Sequence, residues 1–108
     1  VIVDTPWNDE DAPACLSRHP RDVRECAVPR FMTSYGGVPD REKAAAKAAG
    51  AALLDFTRIL CDKTSCPVAA DGMIRYRDDH HFTETFARSL APTLDKALQK
   101  VLEAAGQP

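Results

Sequence analysis

The chain has 108 residues and a net charge of −2, with 44% hydrophobic and 28% charged residues, a balance that fits one small folded domain. So slight an acidic charge offers no basic field for nucleic acid and no polybasic anchor for a membrane surface. No apolar run approaches the roughly 20 residues of a spanning helix, and no stretch reads as a secretory signal, so the compartment has to be inferred from other residues.

Val1-Ile2-Val3-Asp4 reads as a buried strand whose carboxyl end meets a functional rim. Opening on such a strand predicts a chain that starts inside a domain. Thr5-Pro6-Trp7 begins an irregular segment in which Trp7 is expected to pack against a loop rather than line a cleft. The run from Asn8 to Pro13 suits a surface loop, with Asp9, Glu10 and Asp11 solvated. Ala14 to His19 predicts a helical turn stopped by Pro20, with His19 exposed. Residues 21–39 read as irregular, broken by Pro29, Pro39 and the Gly36-Gly37 pair. So long a loop is unusual unless it is functional or stapled.

Asp40 is a plausible N-cap for an alanine-rich helix over 41–49, and Gly50 can take the left-handed position after it. Ala51 to Thr57 then reads as a short apolar strand. Asp4 and Asp55 each end a strand, where capping the next turn is the default role. Helix followed by strand is the local grammar of an α/β fold. Pro67–Ala70 and Met73–Tyr76 flank Asp71-Gly72, a favoured two-residue hairpin turn. Phe82, Phe86, Leu90, Leu94, Leu98 and Leu102 recur every four residues, widened by Ala97 and Val101. That spacing predicts a long amphipathic helix starting near Thr83 or Thr85, bent or divided by Pro92.

Four cysteines bear on the compartment. Three pairings are possible, of which Cys15 with Cys26 and Cys61 with Cys66 are the most local. Paired cysteines imply an oxidising site such as a periplasm or cell exterior. Two other readings stand beside that one: four buried free thiols, or zinc held by Cys61, Cys66 and the following His80 and His81. Adjacent histidines serve poorly as the second close ligand pair that structural zinc sites use.

The octapeptide Tyr76-Arg77-Asp78-Asp79-His80-His81-Phe82-Thr83 places a carboxylate three residues before an imidazole. A carboxylate so placed can accept from Nδ1–H, fix the tautomer and leave Nε2 free to take a proton. By spacing alone, Asp78 could equally cap a turn beside a surface His81. Several blocks around it resemble the C-terminal part of an SGNH hydrolase domain, the GDSL-like three-layer α/β fold. The likeness is narrower still to the extracytoplasmic domain appended to membrane acyltransferases of the acyltransferase 3 family. It is carried by Leu54-Asp55-Phe56-Thr57, Cys61…Cys66-Pro67-Val68, Asp71-Gly72, the octapeptide, and Ser89-Leu90-Ala91-Pro92. The Val1-to-Asp4 strand, Pro6 and the Cys15/Cys26 pair also fit the family pattern.

The resemblance implies an O-acyltransferase of cell-envelope glycans that works through an acyl-serine. Asp78 would be the orienting acid and His81 the general base, with Asp79 the less favoured acid. Either histidine could be the base, but only His81 holds the family spacing. Phe82 stands where the family often has leucine, and His80 where it more often has a polar residue. The Gly-Asp-Ser nucleophile block and the Gly-x-Asn-Asp oxyanion block are absent. Ser17, Ser34, Ser65 and Ser89 all lack a nucleophile's setting.

The expectation is therefore one truncated SGNH-like α/β domain over residues 1–108, the C-terminal half of the fold, catalytically inert alone and prone to self-association. It is expected to need no cofactor or metal. Its partners would be a glycan acceptor and a membrane acyltransferase portion of the same parent chain, and not nucleic acid. Two rivals are a fragment of a free-standing GDSL-type esterase and a non-catalytic disulfide-stapled binding module.

Overall fold

The computed structural model describes residues 1–33 and 37–106; Ser34, Gly36 and the tail Gln107-Pro108 lie outside the described residues. Four helices and two small antiparallel sheets make up the described chain. The helices are α1 (Ala12–Arg18), α2 (Val38–Ala49), α3 (Thr57–Leu60) and α4 (Glu84–Ala104). Strand β1 (Val28–Pro29) pairs with β2 (Ser65–Cys66), and β3 (Ala69–Ala70) pairs with β4 (Met73–Ile74).

Among the described residues the parallel element of an α/β fold is reduced to one bridge. Ile2 lies beside Leu54, with Val3 N–H donating to Leu54 O (2.9 Å) and Leu54 N–H to Val1 O (2.8 Å). The expected buried opening strand is thus corrected. Val3 is buried, but Val1 and Ile2 are 54% and 52% exposed because this segment has a partner on one edge only among the described residues. The expected strand over 51–57 likewise shrinks to Leu54, since Asp55 turns the chain into α3 by accepting from Thr57 N–H and Oγ1–H (2.9 and 2.6 Å).

Other boundaries moved for local reasons. Asp11, not Ala14, sets the start of α1, its carboxylate accepting from Ala14 N–H at 3.0 Å. The last two residues of the expected surface loop, Ala12 and Pro13, are therefore helical, and Ala12 is buried. Helix α2 begins at Val38 after left-handed Gly37, so Asp40 lies in the first turn, where a carboxylate suits the helix dipole. Gly50 ends α2 at φ 65°, as the sequence led one to expect. Residues 21–33, expected to be irregular, carry regular turns: 3₁₀ turns at Val23–Cys26 and Arg30–Met32 flank β1. The β3–β4 hairpin turns on Asp71 (φ 54°) and Gly72 (φ 74°), both left-handed as a type I′ turn demands.

Both local disulfides form, Cys15–Cys26 and Cys61–Cys66. With its sulfurs in a disulfide, the Cys61/Cys66 pair is lost to zinc, and no thiol is free. Each bridge lies within an apolar cluster. Cys15 and Cys26 pack with Ala12, Val68 and Tyr76. Cys61 and Cys66 pack with Leu60 and Phe86, bordered by Phe56, Met73, Phe82 and Leu90.

Helix α4 carries Pro92 inside it without being divided. Of its apolar stripe only Phe86 is buried, and Leu98 and Leu102 are each 42% exposed. Thr83 is its N-cap: Oγ1 accepts from Phe86 N–H (3.2 Å) while donating to Ile74 O (2.7 Å), which ties α4 to β4. Thr83→Ala is expected to cost about 1 kcal/mol, and Thr83→Ser much less. Urea unfolding should show the loss as a lower midpoint at unchanged slope.

Candidate functional site

Residues 77–81 form a closed loop between β4 and α4. Its base is an antiparallel bridge between Tyr76 and Phe82, whose rings lie 5.1 Å apart, with Arg77 N–H donating to His81 O at 2.9 Å. Tyr76 is only 2% exposed, so the loop stands on the first apolar cluster, and burial pushes the phenol's pKa upward. The N-terminal segment laces along the loop's backbone. Thr5 Oγ1–H donates to His80 O (3.0 Å), Asn8 N–H to Asp79 O (2.8 Å) and Ala12 N–H to Asp78 O (3.2 Å).

Asp78 organises the loop. Its Oδ1 accepts the backbone N–H of His80 (2.9 Å) and of His81 (2.6 Å), which leaves Oδ2 to face His81 Nδ1 at 2.7 Å. Those backbone donors, His80 first and then His81, hold the Asp78 carboxyl well below the usual carboxylate range. The carboxylate is therefore ionised and aimed. It can hold His81 as the tautomer with its proton on Nδ1, leaving Nε2 as the acceptor.

A second pair stands beside the first. His80 Nδ1 lies 2.5 Å from Asp79 Oδ1. The His80 ring stacks on Trp7 (centroids 4.0 Å, planes 9° apart) and sits 3.9 Å from the His81 ring. Trp7 is fixed by its indole N–H, which donates to Asp4 Oδ2 at 3.0 Å. Trp7 thus packs against a loop, as expected, and that loop is the site loop itself. The two imidazoles differ in access: the His81 side chain is 51% exposed and that of His80 29%. His80 is wedged between rings, while His81 faces outward.

The three serines among the described residues are engaged locally. Ser17 Oγ–H donates to Ala14 O (2.7 Å), Ser89 Oγ–H to Phe86 O (2.6 Å), and Ser65 Oγ lies 3.2 Å from Asp62 Oδ2. None of these hydroxyls reaches His81. Beside the loop, Asn8 is buried (8% exposed), and neither atom of its side-chain amide has a hydrogen-bond partner among the described residues. The burial of Asn8 departs from the surface loop expected there, because its polar sequence neighbours carry no sign of burial.

The family model of the SGNH domain (fused to AT3 domains) matches residues 1–96, nearly the whole chain. The chain belongs to that SGNH family. A search of curated proteins returned no match, and neither did a search of solved structures. Membership accounts for the mixture of helices and small sheets and associates the domain with acyltransferases, since SGNH domains of this family are fused to AT3 domains. No helix among the described residues of this SGNH chain is long and apolar enough to cross a membrane.

Proposed function

We propose that the chain is the C-terminal part of an extracytoplasmic SGNH domain from a cell-envelope O-acyltransferase, and that Asp78 and His81 are the acid and base of its triad. The observation that carries this reading is the 2.7 Å contact between Asp78 Oδ2 and the Nδ1 of an outward-facing His81. In this mechanism a serine from an upstream block attacks the acyl donor while His81 Nε2 takes its proton. His81 returns the proton to the donor's leaving group; it then deprotonates the glycan hydroxyl, which attacks the acyl-serine, and gives that proton to the departing serine Oγ as the serine ester breaks. Asp78 holds the ring and stabilises the imidazolium that forms.

Two further observations support an incomplete three-layer domain. An apolar groove of about 220 Å³ opens between the N-terminal strand and α4, lined by Ile2, Val3, Phe56, Leu60, Phe82 and Leu90. Ile2, paired on one edge only among the described residues, is 52% exposed, and Leu98 and Leu102 of α4 are each 42% exposed. Upstream strands carrying the serine and oxyanion blocks would cover that surface; without them the face favours self-association. The two disulfides support an oxidising, extracytoplasmic location.

The deciding experiment compares acetyl-ester turnover by the 108 residues alone with turnover by a chain extended upstream through the missing blocks, with and without glycan acceptors. The short chain should be inert, because it lacks both nucleophile and oxyanion donors, and losing a single donor already costs about 10²–10³ in rate. The extended chain should turn over, and acceptor glycan should divert the acyl group from water. Hydrolysis that glycans never divert would favour the esterase; serine-dependent turnover by the short chain would defeat the proposal.

A further inference from the structure

Neighbouring residues in an extended segment usually point to opposite sides, which is why His80-His81 reads poorly as a ligand pair. The loop overturns that. Asp78 bends the backbone by capturing both N–H groups, and the two imidazole rings come within 3.9 Å of each other on one side. One ligand atom on each of Asp78, His80 and His81 then lies within 4.8 Å of the other two.

We infer that Asp78, His80 and His81 together form a binding site for a single divalent transition-metal cation of the zinc type. Two imidazoles and a carboxylate are a donor set suited to Zn²⁺, and three protein ligands leave a position for water. The surroundings favour the same chemistry. Asp79 engages His80 Nδ1 at 2.5 Å, the carboxylate support that orients ligating imidazoles, and Trp7 stacked on His80 restricts that ring. His81 and Asp78 are open enough to admit a cation from solvent. Binding requires neutral imidazoles and displaces ring protons, so it strengthens as pH rises.

The site has a consequence that rests on the reading of His81 as the base. Whichever ring nitrogen of His81 the cation takes, the imidazole can no longer be both held by Asp78 and free to accept a proton. Zinc would therefore act as a reversible blocker of the dyad rather than as a cofactor.

The test measures binding, so it succeeds or fails independently of acyl transfer. Zn²⁺ is titrated into the full 108-residue chain against a chromophoric chelator, with the imidazole C–H signals followed by NMR. One zinc per chain is expected, shifting His80 and His81 together and leaving His19 unmoved. His80→Ala should weaken binding by about tenfold or more, while His19→Ala should leave it unchanged. Should His80→Ala fail to fold, the wild-type shift pattern decides alone. No binding, binding centred on His19, or wild-type affinity in a folded His80→Ala chain would overturn the site.

Discussion

Asp78→Asn in the AT3-fused parent chain is expected to lower acyl transfer by about 10⁴-fold with little change in the loop. Asparagine Oδ1 can still accept the backbone N–H groups of His80 and His81, so the cap that shapes residues 78–81 survives. What changes is the atom facing His81. An amide NH₂ donates where the carboxylate Oδ2 accepted, so Nδ1 must become the acceptor and the proton moves to Nε2. That tautomer cannot take a proton from serine. His81→Ala should be at least as damaging, because the base itself is gone. Equal turnover by wild type and Asp78→Asn, with the fold intact, would remove the dyad from the mechanism.

The neighbouring pair supplies the control. Asp79 and His80 are as close as Asp78 and His81, so distance alone does not choose between them. Access and position do: His80 is held between Trp7 and His81, and Asp79 makes no cap to the loop backbone in the way Asp78 does. Asp79→Asn should therefore leave turnover close to wild type. If it collapses instead while Asp78→Asn does not, the roles of the two pairs are exchanged. The pH response gives an independent check. Asp78 has its pKa depressed in the folded chain, so its contribution to stability is fully present above about pH 3.9, the ordinary aspartate value. It is lost as pH falls below that value toward the depressed one. Asp78→Asn should flatten stability in that acid window.

The strongly local signals were legible from sequence. Asp71-Gly72 fixed a hairpin because only left-handed-tolerant residues close a type I′ turn, and Gly50 ended α2 for the same reason. The Asp78-to-His81 spacing gave the site its central contact. What escaped depends on long-range partners. Val28 and Pro29 carry no strand pattern and pair only because residues 65–66, pinned by the Cys61–Cys66 bridge, lie alongside. Ile2 and Leu54 read as interior strands, yet among the described residues each has its bridge partner on one side alone. Nor could spacing reveal that His80 and His81 share a side, since that follows from Asp78 binding both backbone N–H groups. Trp7 reached His80 through the lacing of residues 5–12 along the loop, a tertiary fact with no periodicity to announce it.

Removing the Cys15–Cys26 bridge by a double alanine substitution is expected to cost about 3 kcal/mol, and removing Cys61–Cys66 about 2 kcal/mol, by the loop-entropy relation. The order follows from loop size, the bridges closing separations of 11 and 5 residues. The functional consequence should differ more than the energies. Cys15 lies on α1, whose first residue Ala12 is buried and donates its N–H to Asp78 O. Tyr76, at the base of the site loop, packs in the same cluster. Loosening α1 therefore frees the loop that aims Asp78 at His81, and amide exchange at Asp78–His81 should quicken with it. The Cys61–Cys66 bridge packs instead against Phe86 at the root of α4, so its loss should speed exchange in the first turns of that helix. Denaturant midpoints check the energies, and the exchange pattern checks the assignment. Equal loop exchange in the two double variants would mean that α1 does not support the site.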